Sequence, residues 1–290
     1  MARVESNYLS ARAGAWRLAS HRELGSRELE QHVLEQARSE KGARHPSTVE
    51  IRGVFDGKER HLYLKVFHQS GAMAQLKDFF RQSKARRFWR QSALLAQSGF
   101  NAPPVVAAGE ERRLRLLRRA FVLTERVEGQ TVPEWLRAQV ACAPDKNLLA
   151  FKRAAIRQCA ELIRRFHERG FVHGDLVASN LLLCQTPGDG LKIYFMDNDR
   201  TRRYPLWLPQ PLWKRNLVQL NRMPLPGISL QDRMRFLHAY LGERKLSAGG
   251  RRLARWLEAK TRLRRKECDG ADPSINFRQL MRWWPEPEKR

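Results

Sequence analysis

The chain of 290 residues carries 55 Lys and Arg against 30 Asp and Glu, a net charge of +25, and 42% of its residues are hydrophobic. This apolar fraction excludes general disorder, and the length suffices for a two-lobed globular protein. The sequence shows no collagen, coiled-coil or solenoid periodicity. A charge excess of this size favours a polyanionic partner, which is a nucleic acid, an anionic membrane or a phosphorylated substrate.

The sequence predicts a protein that is made in the cytosol and has no membrane-spanning helix. No apolar run reaches about 18 residues, and the N-terminus lacks the apolar core of a secretory signal. The cysteines lie far apart without a CxxC pair, so we expect free thiols rather than a zinc knuckle or a disulfide framework. They are Cys142, Cys159, Cys184 and Cys268.

The first elements along the chain are strand-rich. Residues 1 to about 46 are polar and contain one predicted helical stretch, 27–38. The runs 49–54 and 61–67 flank an Asp-Gly step and predict a hairpin. The second run is LYLKVF, which places Lys65 in a strand between apolar neighbours.

A helix, a second hairpin and a long helix are predicted next. Residues 74–97 have helical periodicity, and Gly99 ends this helix. The second hairpin runs from 105 to 127 with its turn at Gly109, and 147–169 form one amphipathic helix. The chain is therefore predicted to be β-rich in its N-terminal half and helical in its C-terminal half. The apolar residues expected on the buried side of the first helix are Leu76, Phe79, Phe80, Phe88 and Leu95.

The most informative segments are FVHGDLVASNLLL at 171–183 and IYFMDND at 193–199. Asp175 stands five residues before Asn180, and Asp197 follows at a strand end. A phosphotransferase needs this order, because the loop Asp accepts or orients the proton of the attacking hydroxyl and the other two residues bind Mg²⁺ at the nucleotide phosphates. A His-Gly-Asp on its own would be interpreted as an ordinary turn, and a strand Lys on its own as a side chain that snorkels at a sheet edge. Together the motifs predict a kinase-like fold.

With these motifs the chain resembles the lipopolysaccharide core sugar kinases, which phosphorylate Kdo or heptose and share the protein kinase fold. The likeness extends over about residues 45 to 245 and includes further segments. These are LKV at 64–66, GFNAP at 99–103, NLVQLNR at 216–222 and DRMRFLHAYL at 232–241. The resemblance implies an α+β, bilobal protein-kinase-like fold. It divides the chain into an N-terminal extension (1–45), a nucleotide-binding N-lobe (46–128) and a C-lobe (129–290).

The resemblance also implies a role for each site residue. Lys65 corresponds to the lysine that holds the α- and β-phosphates of ATP, and Asp175 to the catalytic aspartate. Asn180 and Asp197 correspond to the Mg²⁺ ligands. Glu125 falls in the segment that joins the lobes, where backbone groups would hold the adenine; the alternative is a plain surface carboxylate.

Departures from the family's pattern affect the surroundings of Lys65. The helix that normally supplies a Glu to this lysine has Phe88 at that place. Either Asp78 or Asp197 must then balance Lys65, or the pair forms only with bound nucleotide, because an unpaired buried ammonium is costly. There is also no glycine-rich phosphate loop, since Gly42 stands alone before the first strand.

Two further residues differ in their predicted roles from the protein kinase pattern. Asp199, two residues after the metal aspartate, is either a further metal ligand or a carboxylate paired with Arg200. His173 is expected to brace the catalytic loop rather than act as acid or base, because Asp175 fills that role.

The basic residues after the metal aspartate bear on the acceptor. Arg200, Arg202 and Arg203 stand where a protein kinase has its activation segment, and no Ala-Pro-Glu follows, so we do not expect a peptide substrate. The three arginines would bind an anionic acceptor through forked hydrogen bonds, and the alternative is a solvated basic loop.

Residues 251–266, RRLARWLEAKTRLRRK, contain eight basic residues and one acid. Leu253, Trp256, Leu257 and Leu263 interleave with the charges. This pattern is typical either of a helix lying on an anionic membrane or of a solvated helix packed by its few apolar residues. No sequence-reading motif accompanies the charges, so nucleic acid is not an expected partner.

The sequence thus predicts transfer of the γ-phosphoryl group of ATP, with Mg²⁺, to a heptose or Kdo hydroxyl of the lipopolysaccharide inner core at the cytoplasmic face of the inner membrane. Two alternatives stay open. A small-molecule phosphotransferase of the aminoglycoside or choline kinase type shares the His-Gly-Asp and metal residues. A noncatalytic kinase-like module would instead bind anionic lipid.

Overall fold

The computed structural model describes residues 8–13, 16–21, 27–39, 47–55, 57–68, 82–113, 116–141, 146–186, 190–207 and 211–284. Contacts between residues divide the chain into two compact units. The N-terminal unit comprises residues up to Glu128 together with Asp197–Arg200, and the C-terminal unit comprises Gly129–Met196 and Thr201–Arg290. Each unit has its own core.

The N-terminal unit is built on a six-stranded sheet in which all neighbouring strands are antiparallel. The strands are β1 (Tyr8–Ala13), β2 (Trp16–His21), β3 (Ser47–Phe55), β4 (Lys58–His68), β5 (Val105–Arg113) and β6 (Leu116–Glu125). Their order is β1-β2-β5-β6-β4-β3. The predicted β3–β4 hairpin is confirmed, with Gly57 at φ 71° in its turn.

Two features of this sheet differ from the sequence prediction. Strands β1 and β2 were not predicted, although β2 pairs with β5. The turn expected at Gly109 is wrong, because Gly109 lies within β5 and pairs with Phe121 on one side and Leu18 on the other. A glycine with a partner strand on each side stays extended, and β5 and β6 pair beyond it as far as Arg113 and Leu116.

In the described part of this unit, the sheet is covered by α1 (Arg27–Ser39) and α2 (Lys84–Gln97). The prediction of one continuous helix over 74–97 is wrong, because residues 82 and 83 are not helical; residues 74–81 lie outside the described residues. The Ser83 hydroxyl accepts a hydrogen bond from the Arg86 N–H at 3.1 Å, and this N-cap favours the start at Lys84. Phe88 and Leu95 are buried as predicted. The other expected core residues, Leu76, Phe79 and Phe80, lie outside the described residues.

The two faces of the sheet carry separate apolar clusters, as the alternation of strand side chains requires. One cluster packs against α1, and the other packs against α2. Leu64 and Val66 of β4 belong to the first, and Phe67 of β4 and Val122 of β6 belong to the second. Because Lys65 pairs directly with Val122, its side chain lies on the face that α2 covers.

The C-terminal unit is mainly helical. Its helices are α3 (Val132–Val140), α4 (Lys146–Glu168), α5 (Leu212–Arg222), α6 (Leu230–Leu241), α7 (Ala248–Asp269) and α8 (Phe277–Leu280). Its short strands are β7 (Gln130–Thr131), β8 (Phe171–Val172), β9 (Leu181–Thr186), β10 (Gly190–Phe195) and β11 (Arg202–Arg203). They form the sheets β10-β9-β7 and β11-β8.

Helix α4 leads the chain into the site. It buries Ala160, Ile163 and Phe166, in agreement with the predicted amphipathic helix. Gly170 ends the segment at φ 81°, and a Cβ there would lie 2.3 Å from the Tyr204 carbonyl oxygen. Only glycine fits this turn, which brings the chain from α4 into β8.

Three of the four cysteines lie in the described part of the chain. Cys159, Cys184 and Cys268 are free, as expected, and Cys142 lies outside that part. In the described residues, no helix has the length and apolar composition needed to cross a membrane.

Candidate phosphoryl-transfer site

The loop between β8 and β9 holds Asp175 and Asn180 together. The Asn180 side-chain N–H₂ donates to the Asp175 carbonyl at 2.8 Å, and the Val177 N–H donates to the same carbonyl at 3.0 Å. A 3₁₀ turn, Ala178–Asn180, makes the five-residue spacing fit this contact. The Asn180 side-chain oxygen makes no hydrogen bond within the described residues. It is therefore available to a cation.

His173 braces this loop, as predicted. It is fully buried, its Nε2 lies 2.9 Å from the Met196 carbonyl oxygen, and its Nδ1 lies 3.2 Å from the Asp175 backbone nitrogen. Since a carbonyl only accepts and a backbone N–H only donates, Nε2 carries the proton and Nδ1 accepts. The Met196 N–H in turn donates to the Asn180 carbonyl at 2.9 Å. The end of β10 is thereby fixed beside the loop.

Asp197 follows Met196 directly and is the non-glycine residue with positive φ in the described residues, at 52°. This left-handed conformation is unfavourable for a side chain with a Cβ, although Asp tolerates it better than most. The Asp197 carboxylate accepts a hydrogen bond from Lys65 Nζ at 2.6 Å within the N-terminal unit. Strained residues of this kind concentrate at functional sites.

The ion pair with Asp197 balances the charge of the strand lysine, Lys65. Phe88, at the position of the family's Glu, is buried in the apolar cluster under α2. Asp78, the other acid that the sequence allowed, lies outside the described residues. Among the described residues, Asp197 is the acid that pairs with Lys65.

Asp199 lies on the short turn Asn198–Arg200, which packs against α2. Burial raises the pKa of Asp199, and the neighbouring Asp197 raises it further, while Lys65, Arg200 and Lys84 act in the opposite direction. Asp199 forms no ion pair among the described residues, so the pair with Arg200 that the sequence left open is not formed. The same residues contain no group of three or more His, Cys, Asp or Glu that could hold a metal.

The other predicted site residues are placed as follows. Glu125 ends β6, and its backbone N–H donates to the Pro104 carbonyl at 2.9 Å. That donor is thus used within the N-terminal unit. Arg200 is exposed at the end of its turn, while Arg202 and Arg203 form β11 in the C-terminal unit.

Strand β11 lies beside the start of the catalytic loop. Arg202 pairs with Val172, and Arg203 pairs with Phe171. The Arg203 guanidinium lies 5.4 Å from the Phe171 ring centroid, and its Nε donates to the Arg169 carbonyl at 3.3 Å. Both arginines are exposed, but Arg203 is partly engaged within the protein and Arg202 is not.

Sequence reasoning missed two residues of α5 that contact the loop. Asn216 is almost fully buried and accepts a hydrogen bond from the His173 N–H. Gln219 donates hydrogen bonds to the Gly174 carbonyl and to the Asp175 carboxylate. The signal that could have found them is a carboxamide at i and i+3, two positions that lie on one face of a helix.

An apolar cavity of about 490 Å³ lies in the C-terminal unit. Its lining comes from α3 to α8 and includes Leu136, Ile156, Leu220 and Phe277, with Lys152, Arg233 and Arg262 among its charged residues. Neither Asp175 nor Asn180 lines it, whereas Ala178, which stands between them in the loop, does.

Residues 27–240 match the sequence profile of the Lipopolysaccharide kinase (Kdo/WaaP) family. The solved structure titled "WaaP in complex with acyl carrier protein" is similar with a TM-score of 0.58 and 18% sequence identity. The match covers 81% of this chain and 96% of that chain. No curated protein sequence matches. The structural similarity confirms the predicted α+β, protein-kinase-like fold class.

Proposed function

Because the chain belongs to the lipopolysaccharide kinase (Kdo/WaaP) family, we propose that it transfers the γ-phosphoryl group of ATP, with Mg²⁺, to a heptose or Kdo hydroxyl of the lipopolysaccharide inner core. Membership makes it a phosphotransferase acting on a sugar hydroxyl. The observation that carries the residue assignment is the Lys65–Asp197 pair at 2.6 Å, which joins a phosphate-binding cation to a metal-binding carboxylate.

The donor atoms of the proposed metal site fit Mg²⁺, a hard cation that prefers oxygen ligands and keeps several waters. Asp197 supplies a carboxylate, and Asn180 supplies its unused amide oxygen because its nitrogen is bound to Asp175. Asp199 is a further carboxylate near Asp197. When bound, Mg²⁺ neutralises phosphate charge. Lys65 binds the α- and β-phosphates, and the segment at Glu125 holds the adenine.

Asp175 is the proposed general base. As the acceptor oxygen bonds to the γ-phosphorus and the bond to the leaving ADP oxygen breaks, the hydroxyl proton passes to the Asp175 carboxylate. The loop supports this role because its backbone is fixed by His173 and Asn180.

Arg202 is the arginine best placed to bind the acceptor. It is exposed, has no partner among the described residues, and stands opposite Val172, next to the catalytic loop. Its fork of N–H donors suits carboxylates or phosphates of the inner core. Arg200 and Arg203 are proposed to assist.

The test is phosphate transfer from ATP to deacylated core oligosaccharides, read by mass spectrometry. A gain of one phosphate on a heptose- or Kdo-containing acceptor is the expected result. Transfer to aminoglycosides or choline but not to the oligosaccharides would contradict the proposal and favour a small-molecule kinase. Absence of transfer to either class, with intact nucleotide binding, would favour the noncatalytic module.

We further propose that the enzyme works at the cytoplasmic face of the inner membrane, bound to anionic lipid through α7. Trp256 and Leu263 of this helix are 37% and 46% exposed, among basic residues, whereas Leu257 is buried. Replacing Trp256 and Leu263 with Ser should therefore reduce sedimentation with anionic vesicles without reducing thermal stability. Equal losses of vesicle binding and duplex DNA binding would contradict membrane docking.

An acyl carrier protein is a second candidate partner, because WaaP is in complex with one in its solved structure. The observation that favours it here is the apolar cavity of about 490 Å³, which is suited to an acyl chain. Acylated carrier protein should then bind more tightly than the unacylated form, and Ile156→Trp should remove the difference by filling the cavity. Equal binding of both forms to the wild type would contradict this.

A further inference from the structure

Two side-chain carboxamides of α5 form hydrogen bonds with the backbone of the catalytic loop. The Asn216 side chain binds both backbone groups of His173: its Oδ1 accepts from the N–H at 2.9 Å, and its Nδ2 donates to the carbonyl. One helical turn later, Gln219 Oε1 accepts from the Leu176 N–H at 3.3 Å, and Gln219 Nε2 donates to the Gly174 carbonyl at 3.2 Å. Residues 173–176 are thus fixed to one helix.

The two carboxamides are also joined to each other, since Asn216 Nδ2 donates to Gln219 Oε1 at 3.1 Å. His167 Nε2 adds a second hydrogen bond to Asn216 Oδ1 at 3.2 Å, and Gln219 Nε2 adds one to Asp175 Oδ1 at 3.5 Å. Each amide oxygen therefore accepts two hydrogen bonds, and each amide nitrogen donates two. Neither amide can flip, because a flip would place donors against donors.

The network continues away from the loop through His167. Asn216 Oδ1 only accepts, so His167 Nε2 carries the proton, and His167 Nδ1 accepts from the Tyr240 hydroxyl at 2.9 Å. Burial lowers the pKa of His167 to about 4, so the ring is neutral near pH 7. The loop is therefore held by uncharged side chains, and the donor and acceptor of each hydrogen bond in this network are fixed.

We propose that Gln219 is a positioning residue that orients the Asp175 carboxylate for proton acceptance. Its Nε2 makes the one side-chain hydrogen bond of Asp175 within the described residues, to Oδ1, which leaves Oδ2 for the acceptor hydroxyl. The 3.5 Å distance is at the outer limit of a hydrogen bond, and such contacts tighten when substrate binds. The inference rests on the proposed role of Asp175 as base.

An uncharged amide suits this task better than a basic side chain. A Lys or Arg at this place would hold the carboxylate more strongly but would stabilise its ionised form, and so disfavour proton acceptance. The amide instead fixes the direction of the carboxylate while adding no charge.

Gln219→Leu tests the proposal, because leucine has a similar size and makes no hydrogen bond. We expect kcat to fall by about 10- to 100-fold, the loss typical of a reacting group misplaced by about 1 Å, while KM for ATP stays within about twofold. Gln158→Leu is the matched control. Gln158 also donates to a backbone carbonyl of the C-terminal unit, that of Leu191 at 2.7 Å, but does not touch the loop.

Amide hydrogen exchange of residues 173–177 gives a second readout that needs no substrate. Exchange should accelerate in Gln219→Leu and not in Gln158→Leu. If Gln219→Leu does not fold, Gln219→Asn keeps the carboxamide one methylene short of Asp175 and should show the same kcat loss. Unchanged kcat and exchange, or equal losses in the control, would overturn the proposal. A wild type that phosphorylates no core oligosaccharide would instead refute the proposed function, and the exchange result would still decide whether Gln219 holds the loop.

Discussion

The two units hold their proposed active-site side chains by different means. In the N-terminal unit, Lys65 and Asp197 form an ion pair whose side chains are 22% and 36% exposed. In the C-terminal unit, Asp175 stands on a loop that is fixed by uncharged groups, namely His173 and the two carboxamides of α5. A partly exposed ion pair is weak, and its members can take other partners. A saturated hydrogen-bond network holds one geometry.

This difference matches the proposed tasks. Lys65 must accept phosphate oxygens, and Asp197 must accept a metal, so their pairing has to be exchangeable. Asp175 must meet a hydroxyl at one distance and angle, so its loop has to stay in place. We therefore expect changes in the N-terminal pair to affect nucleotide binding, and changes in the loop to affect turnover.

The largest effect is expected from Asp175→Asn. This variant should fold and bind nucleotide, while kcat falls by about two orders of magnitude or more because proton acceptance is lost. The measurement is steady-state turnover with a core oligosaccharide, and Asp272→Asn, which changes an exposed carboxylate of the same unit, is the control. Turnover of Asp175→Asn within about threefold of wild type would refute the role of the loop.

The next effect is that of Lys65→Met, which removes the proposed phosphate-binding cation but keeps most of the apolar stem. We expect kcat/KM for ATP to fall by about 10- to 100-fold, because charge-assisted hydrogen bonds to phosphate are lost. Lys245→Met, at an exposed lysine of the C-terminal unit, should leave kcat/KM unchanged. Equal values for both variants would show that Lys65 does not bind the nucleotide.

A further effect, on stability rather than on activity, is a pH dependence caused by His167. Its pKa is lowered from 6.5 to about 4 by burial, so as pH falls below 6.5 the unfolded chain takes up a proton that the folded protein refuses. Stability should therefore decrease on acidification, by about 2 kcal/mol from this group between pH 7 and pH 5. Urea unfolding at the two pH values measures it. His167→Gln lacks this titration and should lose correspondingly less stability; identical losses in both proteins would contradict the prediction.

The sequence predicted the elements whose signal is local. The β3–β4 hairpin follows from its Asp-Gly step, and α4 follows from its periodicity up to Gly170. Strand β2, with the sequence WRLASH, has little strand signal of its own and is defined by pairing with β5. Gly109 was predicted in a turn because the pairing of β5 with β2 and β6 is not visible in one stretch of sequence.

The same distinction applies to the site. Asp175, Asn180 and Asp197 could be selected as candidates because their spacing along the chain is the one that a phosphotransferase site needs. The partner of Lys65 could not be chosen, because Asp197 is 132 residues away and only the fold brings the two together. Gln219 was missed for the same reason, since its contacts with the loop span more than 40 residues.

Calorimetry of MgATP binding to Asp197→Asn and Asp175→Asn tests the central claim most directly, namely that the pair in the N-terminal unit binds nucleotide and the loop performs turnover. Asp197→Asn should weaken MgATP binding by about tenfold or more, because a metal-binding carboxylate is lost, while Asp175→Asn should bind within about twofold of wild type. Unchanged affinity in Asp197→Asn would contradict the claim and move the metal site to Asp199. An equal loss in Asp175→Asn would show that the two units do not divide the work in this way.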